Sequence, residues 1–249
     1  MRVAFLADIH GNLPAFEAAL AHLKTQSPDA VFLAGDQINR CPWNNEVMDL
    51  VDDLGWPAIQ GNHELVVGVI NTSDNWWPFT ERHRFPILWW TQEHLRCEHL
   101  AAIRTLPESM HIRFDGAPPI FLVHGVPGNP HVGFYPAMTD DAARDALAAV
   151  TEPVVICGHT HRPIDRQVDE WRIINAGAVG LPYNGDARAQ YVLLDLEKLV
   201  DGPQWRPTFC QVEYDHSVIP IAYAESGLHE AGAPMSRLTL RTLMTGDPW

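Results

Sequence analysis

The stretch Val3-Ala4-Phe5-Leu6-Ala7-Asp8-Ile9-His10-Gly11-Asn12-Leu13-Pro14 decides the fold. Five apolar residues in succession predict a short strand buried on both faces. The run stops abruptly at Asp8 and His10, and Asn12 then stands as an N-cap with Pro14 inside the first helical turn. Leu13, Phe16, Leu20 and Leu23 recur near the 3.6-residue period, so an amphipathic helix is expected from about Leu13 to Lys24. The unit is therefore strand, polar loop, helix.

The same unit repeats downstream. Ala30 to Ala34 reads as a second buried strand ending in Gly35-Asp36, and Glu46 to Leu54 as a helix. Pro57 to Gln60 reads as a third short strand, ending in Gly61-Asn62-His63-Glu64. Successive β-α-β units imply a parallel sheet, and ligands bind such sheets at the carboxyl edge of the strands. From about 66 to 107 the pattern becomes helical, with Trp76, Trp77, Trp89 and Trp90 and a helical period from Pro86 to Ile103. This reads as an insertion. Strands return at His111 to Asp115 and Ile120 to Val123, flanking a turn at Gly116-Ala117-Pro118-Pro119. Val154 to Cys157 runs into Gly158-His159-Thr160-His161, and Trp171 to Asn175, Gln190 to Leu196 and Thr208 to Tyr214 supply late strands. Beyond Pro220 the pattern weakens to one helix and a frayed end. With no repeat or low-complexity linker, one domain over 1–249 is expected.

Composition narrows the function classes. Of 249 residues, 46% are hydrophobic and 19% charged, as in ordinary globular proteins. No apolar run approaches the ~18 residues of a membrane helix. A carboxylate interrupts the N-terminal segment too early for a signal-peptide core, so a cytoplasmic location is expected. The formal charge of −14 argues against an extended nucleic-acid surface, while bound cations would offset some of the carboxylates. Cys41, Cys97, Cys157 and Cys210 form no Cys-x-x-Cys pair, so neither a disulfide framework nor a zinc ribbon is indicated.

Five segments place metal-ligand side chains at once after a strand. They are Asp8-Ile9-His10, Gly35-Asp36, Gly61-Asn62-His63-Glu64, His124-Gly125 and Gly158-His159-Thr160-His161. Mixed carboxylate, amide and imidazole donors suit a transition metal better than calcium. A glycine beside each set permits a sharp turn and a close backbone approach. Any fragment alone is turn chemistry; five in order on an alternating scaffold point to one metal site.

These motifs, in this order, resemble the calcineurin-like metallophosphoesterase family, whose signature is Asp-x-His, Gly-Asp, Gly-Asn-His-Asp/Glu, His and Gly-His-x-His. Asn175-Ala176-Gly177-Ala178-Val179-Gly180-Leu181-Pro182 is similar to a late family stretch. Leu88-Trp89-Trp90-Thr91 is similar to the helical segment of a small bacterial and archaeal branch, called diadenosine-tetraphosphatase-like or phosphodiesterase-like. The resemblance implies a four-layer α-β-β-α sandwich of two mixed β-sheets flanked by helices. It implies two divalent transition metal ions, manganese first, with iron, zinc, nickel or magnesium as alternatives. Asp8, His10, Asp36 and His161 would hold one ion and Asp36, Asn62, His124 and His159 the other, with Asp36 bridging. A hydroxide bridging the metals would attack a small-molecule or nucleotide phosphodiester or phosphomonoester. His63 would stand at the leaving-group oxygen as general acid or charge stabiliser, and Asn12 and Arg40 would contact substrate.

One departure bears on the chemistry. The protein-phosphatase branch continues its second motif with an Asp that orients the catalytic His, and Asn39 stands at that place here. Such a protein phosphatase is one alternative reading; a non-catalytic metal-binding scaffold of the same fold is another. Retention of every ligand position and of His63 favours the enzyme. Trp76 and Trp77 are read first as packing residues, with stacking on a nucleobase as the sharper alternative, and His131 as a residue that could overhang the metals.

Overall fold

A computed structural model of the chain describes residues 1–200 and 202–248. The first sheet comprises β1 (Arg2–Leu6), β2 (Ala30–Leu33), β8 (Ala189–Leu199) and β9 (Gly202–Val212), in the order β2-β1-β8-β9. β1 runs parallel to β2, with Val3 opposite Ala30, and antiparallel to β8, with Arg2 opposite Asp195. The second sheet has the order β3-β4-β5-β7-β6, built from β3 (Ser109–Ile112), β4 (Ile120–Val123), β5 (Val154–Cys157), β6 (Ile164–Val168) and β7 (Trp171–Asn175). β4, β5 and β7 are mutually parallel, and β3 and β6 are antiparallel edges. Both sheets are thus mixed.

Side-chain alternation along β1 explains the layering. Val3 and Phe5 face the second sheet and pack with Ile120, Leu122, Val154, Ile156 and Ile174. Ala4 and Leu6 face the other way, onto Phe16, Ala19 and Leu23 of α1 (Leu13–Gln26) and Val47 and Val51 of α2 (Asn44–Leu54). On the far side of the second sheet, Phe121, Val155 and Ile173 pack against Ala143 and Leu147 of α6 (Asp140–Leu147). Helix, sheet, sheet, helix is the expected sandwich. Each of these large apolar side chains contributes roughly 1.5–3 kcal/mol when fully buried.

The insertion forms α3 (Asn62–Val69), α4 (Pro86–His94) and α5 (Cys97–Thr105), which share Val66, Val67, Ile70, Leu88, Leu95 and Ile103 in one apolar cluster. Four details correct the sequence reading. Pro57 to Gln60 contributes only one bridge, Leu33 to Ala58, because Asn62 begins a helix within a few residues. The segment beyond Pro220 lies within and after α7 (Val218–Glu225), and continues through α8 (Leu228–Ala231) and α9 (Met235–Thr245). These helices pack Ile219, Tyr223, Leu228 and Leu243 onto Ile87 and Trp90 of the insertion. Finally, β6 and α6 had no counterpart in the reading.

Candidate metal centre

The polar segments meet where β1, β2, β4 and β5 end. Asp8 and His10 leave β1, and their loop is tied to the one after β2 by backbone bonds from Asp8 N to Gly35 O and from His10 N to Asp36 O, at 3.0 and 2.9 Å. Glycines make this closeness possible. A Cβ on Gly61 would stand 2.1 Å from Asp36 Oδ1, and one on Gly158 would stand 2.7 Å from Asp8 Oδ2. The backbone is also bent into the left-handed region: Asp8, His10, Asp36, Asn39, Arg40, His159 and His161 have φ between +55° and +79°. Non-glycine residues adopt that region rarely, and here it turns successive side chains toward one point.

Four buried residues converge there. One donor atom each from Asp8, His10, Asp36 and His161 lies within 4.8 Å of all the others. His10 Nε2 is 3.0 Å from His161 Nε2 and 3.6 Å from Asp36 Oδ2, and His161 Nε2 is 3.3 Å from Asp8 Oδ1. A cation bound at about 2.0–2.2 Å holds neighbouring donors roughly 3.0–3.6 Å apart, so this set fits a divalent ion. Beyond Asp36, the Asn62 Oδ1 atom lies 3.0 Å from His124 Nε2 and 2.9 Å from His159 Nδ1, and His124 Nε2 lies 3.3 Å from Asp36 Oδ2. Asp36 stands between the two groups.

The surroundings orient these donors. The Nδ1 atoms of His10, His161 and His124 face the carbonyl oxygens of Ile38, Leu181 and Ala34, which directs each Nε2 inward, as in metal-ligating histidines. Glu64 accepts from Gly61 N and Asp36 N at 2.8 Å and from Ile38 N at 3.1 Å, so one carboxylate joins two loops to the start of α3. Asn175 donates to Gly158 O and Thr160 Oγ1 and accepts from Gly177 N, fixing the loop that carries His159 and His161.

Burial and neighbouring charge set the protonation. Burial and the nearby His161 hold His10 well below the usual imidazole value, and burial lowers His159 to about 4 and His63 to about 3. Neutral imidazole is the form that binds metal. His124 goes the other way, to about 10: burial opposes the charged form, but the charge and hydrogen bond of Asp36 outweigh it. Asp36 is correspondingly held well below the carboxylate range despite its burial.

The remaining expected residues fall as follows. His63 borders the cluster, its Nε2 3.8 Å from Asp36 Oδ2 and its Nδ1 2.5 Å from Asn39 Nδ2. Arg40 adjoins a cavity of about 320 Å³ walled by Phe85, Ile87, Leu88 and Met235. Its Nε is buried without a hydrogen-bond partner. Asn12 is different. Its Oδ1 caps α1 at Ala15 N, and its Nδ2 bonds to Gly180 O and Tyr214 Oη. The residue is fully buried. The amide is spent inside the fold, and the expected substrate contact is not kept. Trp90 is buried and Trp77 is 68% exposed, stacked under Arg84, while Trp76 meets His131 edge-on. Sequence reasoning missed Thr91, whose hydroxyl donates to Asn39 Oδ1 at 2.8 Å, and it gave Glu64 no role. Glu64 stands at the third helical position after the Gly61 N-cap and accepts from Gly61 N, the glutamate half of a capping box, a spacing that could have found it.

Residues 1–199 match the family model of the calcineurin-like phosphoesterase superfamily domain. The chain belongs to that superfamily. Among calcineurin-like relatives of known structure is a metallophosphoesterase from Sphaerobacter thermophilus, 28% identical, with a TM-score of 0.75 over 99% of this chain and 100% of that one. A Pyrococcus horikoshii hypothetical protein, 22% identical, shares the fold with a TM-score of 0.78 over 98% of each chain. An uncharacterized protein of Methanocaldococcus jannaschii is 28% identical over 230 residues, 86% of this chain and 88% of its own length. Among the described residues no helix is long and apolar enough to cross a membrane.

Proposed function

We propose that this phosphoesterase hydrolyses a phosphodiester or phosphomonoester of a small molecule, such as a nucleotide, with two divalent transition metal ions. The observation that carries the reading is the convergence of Asp8, His10, Asp36 and His161 beside Asn62, His124 and His159. In the proposed assignment the first four hold one ion, the last three hold a second, and Asp36 serves both. Manganese suits this mixture of carboxylate, amide and imidazole donors. When bound, such cations acidify water and offset charge on a phosphoryl group.

The chain's own contribution is positional. Carbonyl contacts at Ile38, Ala34 and Leu181 aim the imidazoles, and Glu64 holds the Asp36 loop against α3. His63 donates toward the leaving-group oxygen from Nε2, and Arg40, with its unpartnered Nε, contacts the substrate's phosphate. The apolar cluster joining the C-terminal helices to the insertion supports one cooperative domain. The test is metal content together with hydrolysis of bis-p-nitrophenyl phosphate and p-nitrophenyl phosphate with added Mn²⁺. About two ions per chain and turnover are expected. A metal-loaded protein inert on every phosphoester would leave the scaffold reading instead.

A further inference from the structure

The 320 Å³ cavity beside the metal centre joins apolar walls to two cations. Phe85, Ile87 and Leu88 line it from the start of α4, and Met235 from the start of α9. Its size falls at the lower end of the roughly 300–1,000 Å³ of small-molecule sites. Asn39 also lines it, and Asn39 Nδ2 lies 2.5 Å from His63 Nδ1, so the cavity adjoins the side of the centre where His63 stands. Arg40 reaches it from a strained loop. Asn39 and Arg40 have φ of +74° and +79° in succession. They are held there by the bond from Asn39 N to Asn44 Oδ1, at 2.6 Å, and by the Tyr223 hydroxyl, which donates to Arg40 O. Strain of this kind persists where the surroundings enforce it, and it gathers at ligand clamps. Among the described residues the Arg40 side chain has no ion pair and no hydrogen bond, in a chain with 31 acidic residues. Arg84, the second cation, is exposed and lies over the rings of Trp77 and Phe85 at 5.6 and 5.9 Å, with Glu81 3.7 Å away at the surface. Two guanidinium groups bordering one cavity repel each other, and an anion between them reverses that.

We propose that this cavity is the leaving-group subsite, and that it selects phosphoesters whose leaving group has an apolar body and an anionic group of its own. This rests on the phosphoesterase reading above, which sets His63 at the leaving-group oxygen. The apolar body packs against Phe85, Ile87, Leu88 and Met235. Arg84 pairs with the leaving group's own anion, and Arg40 serves the end nearer the centre. In the hydrolysis the oxygen of water forms the new P–O bond as the bond to the leaving oxygen breaks. The leaving oxygen takes the bonding pair and, in net, one proton of water. The released product is an alcohol or phenol that keeps its own negative charge. Met235 lies outside the superfamily domain, residues 1–199, so the subsite is not supplied by that domain alone.

The test has a kinetic arm and a binding arm. In the first, the Mn²⁺-loaded enzyme hydrolyses two methyl aryl phosphodiesters, whose leaving phenol carries either a meta-carboxylate or the near-isosteric meta-carboxamide. The carboxylate ester should have the higher kcat/KM by about tenfold, the scale of one hydrogen bond to a charged group. Arg84→Gln should bring the ratio to about one, and Arg84→Lys should restore most of it. A native ratio of one or below overturns the proposal, as does a ratio that Arg84→Gln leaves in place. The second arm needs no turnover. In chelator-stripped protein labelled with ¹³C-methyl methionine, benzylphosphonate should shift the Met235 signal saturably, and benzyl alcohol should not. Met235→Leu identifies that signal, and Arg84→Gln should weaken the binding about tenfold. No shift, or the same shift from benzyl alcohol, overturns the subsite. If Arg84→Gln fails to fold, the native ratio and the native shift still decide. Turnover without a Met235 shift refutes the subsite and leaves the phosphoesterase reading standing. A Met235 shift with no turnover of either ester refutes that reading and the subsite's role together, and leaves only an anion-binding cavity.

Discussion

Adding one methyl group at Gly61 should dismantle the metal centre without removing any candidate ligand. Gly61 has φ near −95°, which any residue adopts, so Gly61→Ala introduces no backbone strain of its own. The new Cβ would instead lie 2.1 Å from Asp36 Oδ1 and 2.4 Å from Asp36 N, where ordinary contact begins at 3.4 Å. The carboxylate, or the loop behind it, must retreat by about 1.3 Å, the difference between those two distances. Metal sites tolerate about 0.2 Å, and Asp36 is the residue assigned to both ions. The move also breaks the 2.9 Å bond from His63 N to Asp36 Oδ1. Orienting groups alone are worth about 10–100-fold in metal affinity, so displacing the shared ligand should weaken Mn²⁺ binding at least 100-fold. Overpacking costs about 1–3 kcal/mol, which at roughly 2–4 °C per kcal/mol lowers the metal-free Tm by about 2–12 °C. Calorimetric titration of chelator-stripped protein and scanning calorimetry measure both. Gly116→Ala is the control: its Cβ meets open space, so only its left-handed φ of +71° is strained and metal affinity should hold. Retention of Mn²⁺ affinity within about threefold by Gly61→Ala would refute the assignment of Asp36 as the shared ligand.

Three further outcomes follow from the same geometry. His63→Ala should keep both ions and lose about 10²–10⁴-fold in kcat, whereas Asp36→Asn should lose metal; a metal-free His63→Ala protein by elemental analysis would reverse those roles. Adding Mn²⁺ at about 100 times its Kd should stabilise the chain by about 2.7 kcal/mol and raise Tm by roughly 5–10 °C, reversed by chelator; an unchanged Tm would mean that no site binds. Burial opposes ionisation of Glu152, but the hydrogen bond from His111 outweighs it and the carboxyl pKa is lowered from 4.5. The stability this gives is present above about pH 4.5 and is lost as pH falls through the lowered value. Denaturant titrations of His111→Ala should therefore show a deficit at about pH 5–6 that closes on acidification, and a deficit constant to low pH would exclude the linkage.

The candidate site was more legible than its frame. Asp8, His10, Asp36, His159 and His161 each follow a run of buried strand residues, a pattern visible in a few letters. The groups that orient His10, His124 and His161 are backbone carbonyls, at Ile38, Ala34 and Leu181, which carry no signature in residue type. Thr91 was invisible for another reason: it meets Asn39 across 52 positions of sequence through a helix whose packing angle no periodicity specifies. β6 reads Ile-Asp-Arg-Gln-Val and sits at a sheet edge, where one face is solvated and the apolar signal is thin. β9 contains Pro203 and Pro207, which argue against a strand until its edge position is known. The C-terminal helices were underestimated because their apolar residues face the insertion, and the target of that face lies elsewhere in the chain.

The left-handed backbone at the centre has a consequence for how such a chain changes over generations. Seven of the ten non-glycine residues with positive φ among those described are in these loops. Each opposes folding by roughly 1–2 kcal/mol, and glycine would relieve it. Ser27, exposed and in the same backbone state away from the centre, is free to drift to glycine. Selection for stability alone would thus erode the centre first, and a descendant freed from catalysis should lose Asp8, His10 and His161 while its sandwich becomes sturdier. Directed evolution scored on heat resistance without a metal or activity screen would run the same course, and sequencing its survivors would show whether the replacements gather in these loops.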